Sequence, residues 1–193
     1  EVLAKFDEPD VVLSYCESKQ INADGQILCD HYLDYVKDIS QTKWTEPYVN
    51  SGVDEIISAL SIKNTIPNVS AAVFKRDILL AVLEDKIAEL TQYRVAGDWV
   101  TYIEVLRRGR VAFSPRSLNL HRRHVSGVTM SSFNFSQLKE IMSVQQKVRE
   151  EFKPPDVITE RASSYSEKLF EQFGLASSDA PSVRQHSELR KLI

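Results

Sequence analysis

Two hydrophobic periods alternate along this chain and mark out its elements. Residues 2–6 predict the end of a helix, with 7–10 as its exit turn. Residues 11–16 form a short, largely apolar run ahead of polar positions, which predicts a buried parallel strand. Asp24 and Gly25 stand between Ile21 and Ile27 and predict a tight turn or hairpin. Residues 31–50, with Trp44, Pro47 and Tyr48, are weakly periodic and predict an irregular connection. Ser51 is placed to cap a short helix over 53–60, with Asp54 at or near the capping-box position. Residues 64–70 are polar punctuation around Pro67, and 71–74 predict a second buried strand.

The second half of the chain is more helical. Asp77 is expected to cap a long amphipathic helix that turns Ile78, Val82, Ile87 and Leu90 inward. Trp99, Tyr102, Ile103 and Leu106 share one helical face, which makes Asp98 a natural N-cap and Gly109 the C′ stop. Residues 110–114 alternate and then meet Pro115, as a strand entering a turn does. Residues 117–120 are strand-like again, and 126–129 predict a loop. A helix over 135–152 buries Leu138, Ile141, Met142, Val148 and Phe152, and Lys153-Pro154-Pro155 breaks it. A last short helix, 166–173, ends at Gly174, and 176–193 is expected to be a mobile tail or a partner-docking segment. Strands followed by helices along one chain place it in the α/β class.

Composition narrows this picture in two places. Between Val105 and Gln137 there is no Asp or Glu, yet Arg107, Arg108, Arg110, Arg116, Arg122 and Arg123 fall there, in a chain of net charge −3. That asymmetry suits an anion, although a solvated charged face has the same signature. The two cysteines, Cys16 and Cys29, lack metal spacing and are expected to be reduced thiols in a cytoplasmic setting. No apolar run reaches the roughly 20 residues of a membrane span, and residues 1–30 do not have the pattern expected of a signal peptide. The chain starts at Glu1 without an initiator methionine, inside a helix-like phrase, and is expected to be a fragment of a larger protein.

Chemical motifs are sparse. There is no glycine-rich phosphate loop and no nucleophile elbow. His121 and His124 lie three apart and would need carboxylate partners from elsewhere to hold a metal. A phosphate- or RNA-binding role for residues 107–123 lacks the interleaved aromatics that base stacking uses. Nucleic acid is therefore not expected as the partner.

Three phrases in order, VVLSYCESKQINADG, NTIPNVSAAVFKRDIL and AGDWVTYIEVLRRGRVAFSPRSLNLHRRHVSGVT, resemble the second half of bacterial family 2 glycosyltransferases with the GT-A fold. The likeness runs over about residues 2–152. It implies an acceptor and catalytic-base half at 1–152, followed by a helical extension and flexible tail at 153–193. It implies inverting transfer of a sugar from a nucleotide-diphosphate donor to a glycan or lipid-linked acceptor, in polysaccharide or glycan biosynthesis. Asp98 takes the place of the family's catalytic base, with Gly97 where a Glu usually precedes it. The likeness further implies that Arg122, Arg123, Asn68, Ser70 and Trp99 contact substrate. It makes His124 a ligand of a donor-site Mn or Mg ion, with His121 the weaker candidate. The family's donor-binding half with its Asp-x-Asp motif is expected upstream of Glu1, so the isolated chain is expected to be inactive. The implied setting is the cytoplasm, or the periphery of the inner face of the membrane. A different class remains open: a non-catalytic interaction module that keeps the fold and docks a partner through its tail.

Overall fold

Two long parallel strands, β1 (Val11–Ile21) and β5 (Arg110–Arg122), form the spine of the molecule. The computed structural model describes residues 1–123, 133–177 and 180–193. The first halves of both strands are buried, and the rings of Tyr15 and Phe113 lie 4.8 Å apart between them. Parallel neighbours need a long crossover. Here it contains β2 (Ile27–Cys29), α1 (Leu33–Val36), β3 (Tyr48–Ser51), α2 (Gly52–Glu55), β4 (Ala72–Phe74), α3 (Arg76–Leu90) and α4 (Gly97–Leu106). β3 pairs antiparallel with β5, while β2 and β4 pair antiparallel with β1. The result is a five-stranded mixed sheet flanked by helices, an α/β architecture.

Several local expectations hold. The hairpin at Asp24-Gly25 forms, with Gly25 at φ 85° where a side chain would be strained. Ser51 accepts a hydrogen bond from the Asp54 N–H and so caps α2. α5 (Phe135–Phe152) opens on a full capping box between Asn134 and Gln137 and ends at Lys153, which adopts φ 50° ahead of the two prolines.

Others need correction. β5 does not stop at Pro115 but runs on to Arg122, because the ladder to β1 shifts register between Cys16 and Glu17 and tolerates a residue without an N–H. The connection 31–50 is more ordered than its pattern suggests: Trp44 is buried and its indole N–H donates to the Tyr15 hydroxyl at 2.9 Å. Asp77 does not cap α3; Lys75 holds that position and the Asp77 side chain is 87% exposed. Gly109 is not a left-handed stop. A Cβ there would lie 2.4 Å from the Asp10 carbonyl oxygen and 2.5 Å from a Val12 methyl, so glycine serves close approach. Gly52 is tighter still, with its N–H donating to the Gly109 carbonyl at 3.0 Å.

The last helix, α6 (Asp156–Gln172), begins ten residues before its expected start, right after Pro155. It buries Ala162, Ser166 and Phe170 on one face. The following segment packs back rather than leaving the body. Val183 and Leu189 are buried with Leu138, Met142 and Phe170 in a second small core. Arg149 of α5 donates to the Leu192 carbonyl at 2.8 Å. Among the described residues no helix is long and apolar enough to cross a membrane.

Candidate functional site around Asp98

The link 107–109 returns α4 to the start of β5, so the first turn of α4 lies toward the carboxyl ends of β1 and β5. In α/β sheets that is the end where ligands gather. Asp98 sits in this first turn and is half-buried. It is not the N-cap: Ala96 occupies that position and offers no side-chain oxygen. Glu140 of α5 instead holds the segment leading into the helix: its Oε2 accepts the N–H groups of Arg94, Val95 and the N-cap Ala96.

Freed from capping the turn before it, the Asp98 carboxylate has its own partners. Oδ1 accepts the Trp99 N–H at 2.7 Å and Oδ2 accepts the Asn64 amide at 3.3 Å. Burial raises its pKa above the ordinary carboxylate value, and the Trp99 and Asn64 hydrogen bonds only partly oppose this. One turn along the same face, Tyr102 is fully buried and its hydroxyl has no protein partner. Burial, then the Asp98 charge, pushes that phenol upward. Tyr35, also raised chiefly by burial, feels Asp98 as well. A carboxyl whose proton affinity burial has raised is found at general bases and at buried structural acids alike.

Asn64 reaches Asp98 because of an irregular turn. Residues Ile56–Leu60 form a π-helical turn, closed by the Ser61 N–H to the Ile56 carbonyl at 2.8 Å. It presents the Leu60 carbonyl to the Trp99 indole N–H at 3.0 Å. Trp99, a substrate-contact candidate, is therefore an anchor in the core, 2% exposed. Beside Asn64, the buried Lys63 ammonium donates to the Tyr35 carbonyl and to Asp38 at 2.6 Å. It also lies 4.5 Å and 5.1 Å from the Tyr35 and Tyr165 ring centroids. Burial lowers its pKa, with Asp38 acting against that.

Removing the Asp38 carboxylate leaves this ammonium without its counter-charge. Loss of a partner from a fully buried pair costs about 3–5 kcal/mol; with Asp38 38% exposed, about 1–2 kcal/mol is expected for Asp38→Ala in urea denaturation. The double variant with Lys63→Met should recover part of the loss. A change indistinguishable from zero in the single variant would make the pair a surface contact.

The other candidates assemble elsewhere. Asn68 and Ser70 join Ser18 and Asn119 in one network: the Asn119 amide donates to Asn68 Oδ1 at 2.8 Å, Ser18 Oγ at 3.1 Å and Ser70 Oγ at 3.2 Å. At the end of β5 the Tyr32 hydroxyl lies between His121 Nδ1 and the Arg123 guanidinium. Arg122 donates to the Asn22 and Ala23 carbonyls at 3.0 and 2.7 Å and so closes the β1–β2 turn. No described contact joins Asp98 to either arginine.

Two arginines of the acid-free run find counter-charges in space. Arg107 pairs with Glu104 at 3.2 Å and with Glu151, and Arg116 pairs with Glu1. Arg110 instead donates to the Pro9 carbonyl at 3.4 Å, and Arg108 is exposed. His124, the metal-ligand candidate, lies outside the described residues. Among those described, no three His, Cys, Asp or Glu side chains converge on one point. The Mn or Mg ion consequently rests on the resemblance alone.

Among the described residues, one cavity of about 690 Å³ lies between α5, α6 and the C-terminal segment and another of about 460 Å³ lies along β3. Neither borders Asp98. Sequence reasoning missed Asn64, Lys63 and Glu140. Lys63 had a legible signal, a lone charge among Ile62, Ile66 and Leu60; Glu140 had none, being one acid on an amphipathic helix. Comparison of the chain with models of known protein families, with curated proteins and with solved structures finds no match.

Proposed function

We propose that this chain supplies the catalytic base and acceptor side of an inverting glycosyltransferase of GT-A type, acting on a nucleotide-diphosphate sugar. The observation that carries the reading is the half-buried Asp98 carboxyl in the first turn of α4, with its proton affinity raised by burial and its direction set by Asn64 and Trp99. In this reading Asp98 takes the proton of the acceptor hydroxyl as that oxygen attacks the anomeric carbon. The bond to the nucleoside diphosphate breaks on the opposite face, and the diphosphate leaves with the bonding electron pair. In this reading Arg122 and Arg123, at and just beyond the end of β5, meet the negative charge that builds on the leaving diphosphate. An Mn or Mg ion, when bound, supplies further charge neutralisation on the diphosphate.

The test uses the chain joined to the donor-binding half that the reading requires. Nucleotide sugars are screened with Mn for acceptor-dependent release of nucleoside diphosphate, and the anomeric configuration of the product is determined. Retained configuration, or turnover that survives Asp98→Asn, would remove the proposal. The isolated chain is expected to show no micromolar affinity for nucleotide sugars by calorimetry.

A further inference from the structure

Three successive backbone N–H groups, those of Arg94, Val95 and Ala96, converge on a single oxygen of Glu140 at 2.9, 2.9 and 3.3 Å. These donors belong to the segment that leads into α4 and ends at its N-cap Ala96, and a carboxylate at that positive end satisfies them with charge-assisted bonds. Glu140 belongs to α5, far along the chain, and nothing in the 94–96 segment can do the same work. α5 also holds the opposite arm of the site. Gln145 is buried, and its amide donates to the Ile62 carbonyl at 2.8 Å, two residues before Asn64. One helix therefore grips both segments that bring Asp98 and Asn64 together.

We infer that Glu140 is a positioning residue for Asp98: through the 94–96 backbone it fixes the first turn of α4 and thereby the direction and burial of the Asp98 carboxyl. The functional meaning of this rests on Asp98 being the base, but the geometry does not. A ruler of two side chains on α5, Glu140 and Gln145, sets the separation of the Asp98–Asn64 pair. Loosening either end opens the carboxyl to water and lets it titrate like an ordinary aspartate.

The experiment follows the Asp98 side-chain carboxyl by carbon NMR across pH, together with amide hydrogen exchange at Val95 and Ala96, in the native chain, Glu140→Gln and Glu140→Ala. A glutamine keeps an acceptor oxygen but loses the charge, so the three proteins should fall in order. Exchange is expected to quicken about threefold in Glu140→Gln and about tenfold or more in Glu140→Ala. The Asp98 midpoint should move down in the same order. If Glu140→Ala does not fold, Glu140→Gln against the native chain decides alone. An Asp98 midpoint and a Val95–Ala96 exchange rate unchanged in the glutamine variant would overturn the inference. Neither readout involves turnover, so an active Asp98→Asn variant would remove the base assignment and leave the Glu140 result standing.

Discussion

Changing Asp98 to asparagine is expected to lower acceptor-dependent transfer by about 10²–10⁴-fold, the contribution of a positioned general base, while the protein stays folded. The amide keeps an oxygen for the Trp99 N–H, so the helix start is preserved. The pH dependence follows from the direction of the shift. Burial lifts the Asp98 pKa above 3.8, so the acid limb of kcat/KM should lie above an ordinary aspartate's. The stability effect has the opposite sign to the activity effect. A group whose folded pKa is raised contributes stability below its unfolded pKa and loses it as pH rises through the folded value. At neutral pH the ionised Asp98 therefore opposes folding, and Asp98→Asn should raise the melting temperature. Lost activity with a raised melting temperature identifies a base held at a cost to stability. A lowered melting temperature would instead make Asp98 a structural acceptor.

Replacing Gly52 by alanine is expected to be the most damaging single change to the fold, about 3 kcal/mol or more. A Cβ at this position would lie 2.0 Å from the Leu106 carbonyl oxygen and 2.3 Å from that of Gly109. Both are backbone atoms at the α4–β5 junction and cannot swing aside as a side-chain tip can. Relief would require α2 to back away from that junction, which breaks the Gly52–Gly109 hydrogen bond and loosens β3 against β5. Gly97→Ala is the matched control. Its added Cβ meets nothing closer than 3.5 Å, so helix propensity alone should make it neutral or stabilising by about 0.5–1 kcal/mol. Equal melting temperatures for Gly52→Ala and the native chain in thermal denaturation would show that the junction is softer than it looks.

Elements whose causes are local were legible in the sequence, and those with distant causes were not. The α5 helix announces itself through Asn134, Gln137 and the spacing of Leu138, Met142 and Val148, all within one stretch. The buried strand at Val11 and the turn at Gly25 are equally self-contained. By contrast, Asp98 imitated an N-cap although the helix already begins at Gly97, and the group that holds its lead-in, Glu140, comes from another helix. Pro115 imitated a strand end because its missing donor is excused by a bulge in β5, where Ser114 and Ser117 face the adjacent Cys16 and Glu17. The arginine run looked unpaired because Glu1 and Glu151 reach it only in the folded chain. Of the site, the base position at Asp98 could be proposed from sequence, but its partner Asn64 could not, since their contact spans the whole of α3.

The π-helical turn at Ile56–Leu60 gives this protein an unequal tolerance of change. Side chains there can be exchanged for others of similar volume with modest effect, since the turn is defined by backbone bonds. Deleting a single residue is a different event. It would let the segment relax into a regular α-helix and rotate everything beyond it by about 100°. Leu60 would turn its carbonyl from the Trp99 indole, and Asn64 would swing off Asp98. Relatives that keep the Asn64–Asp98 contact should therefore exchange apolar side chains of similar size over the turn yet keep its length, and a gap there in a homologue would mark one in which Asn64 no longer meets Asp98.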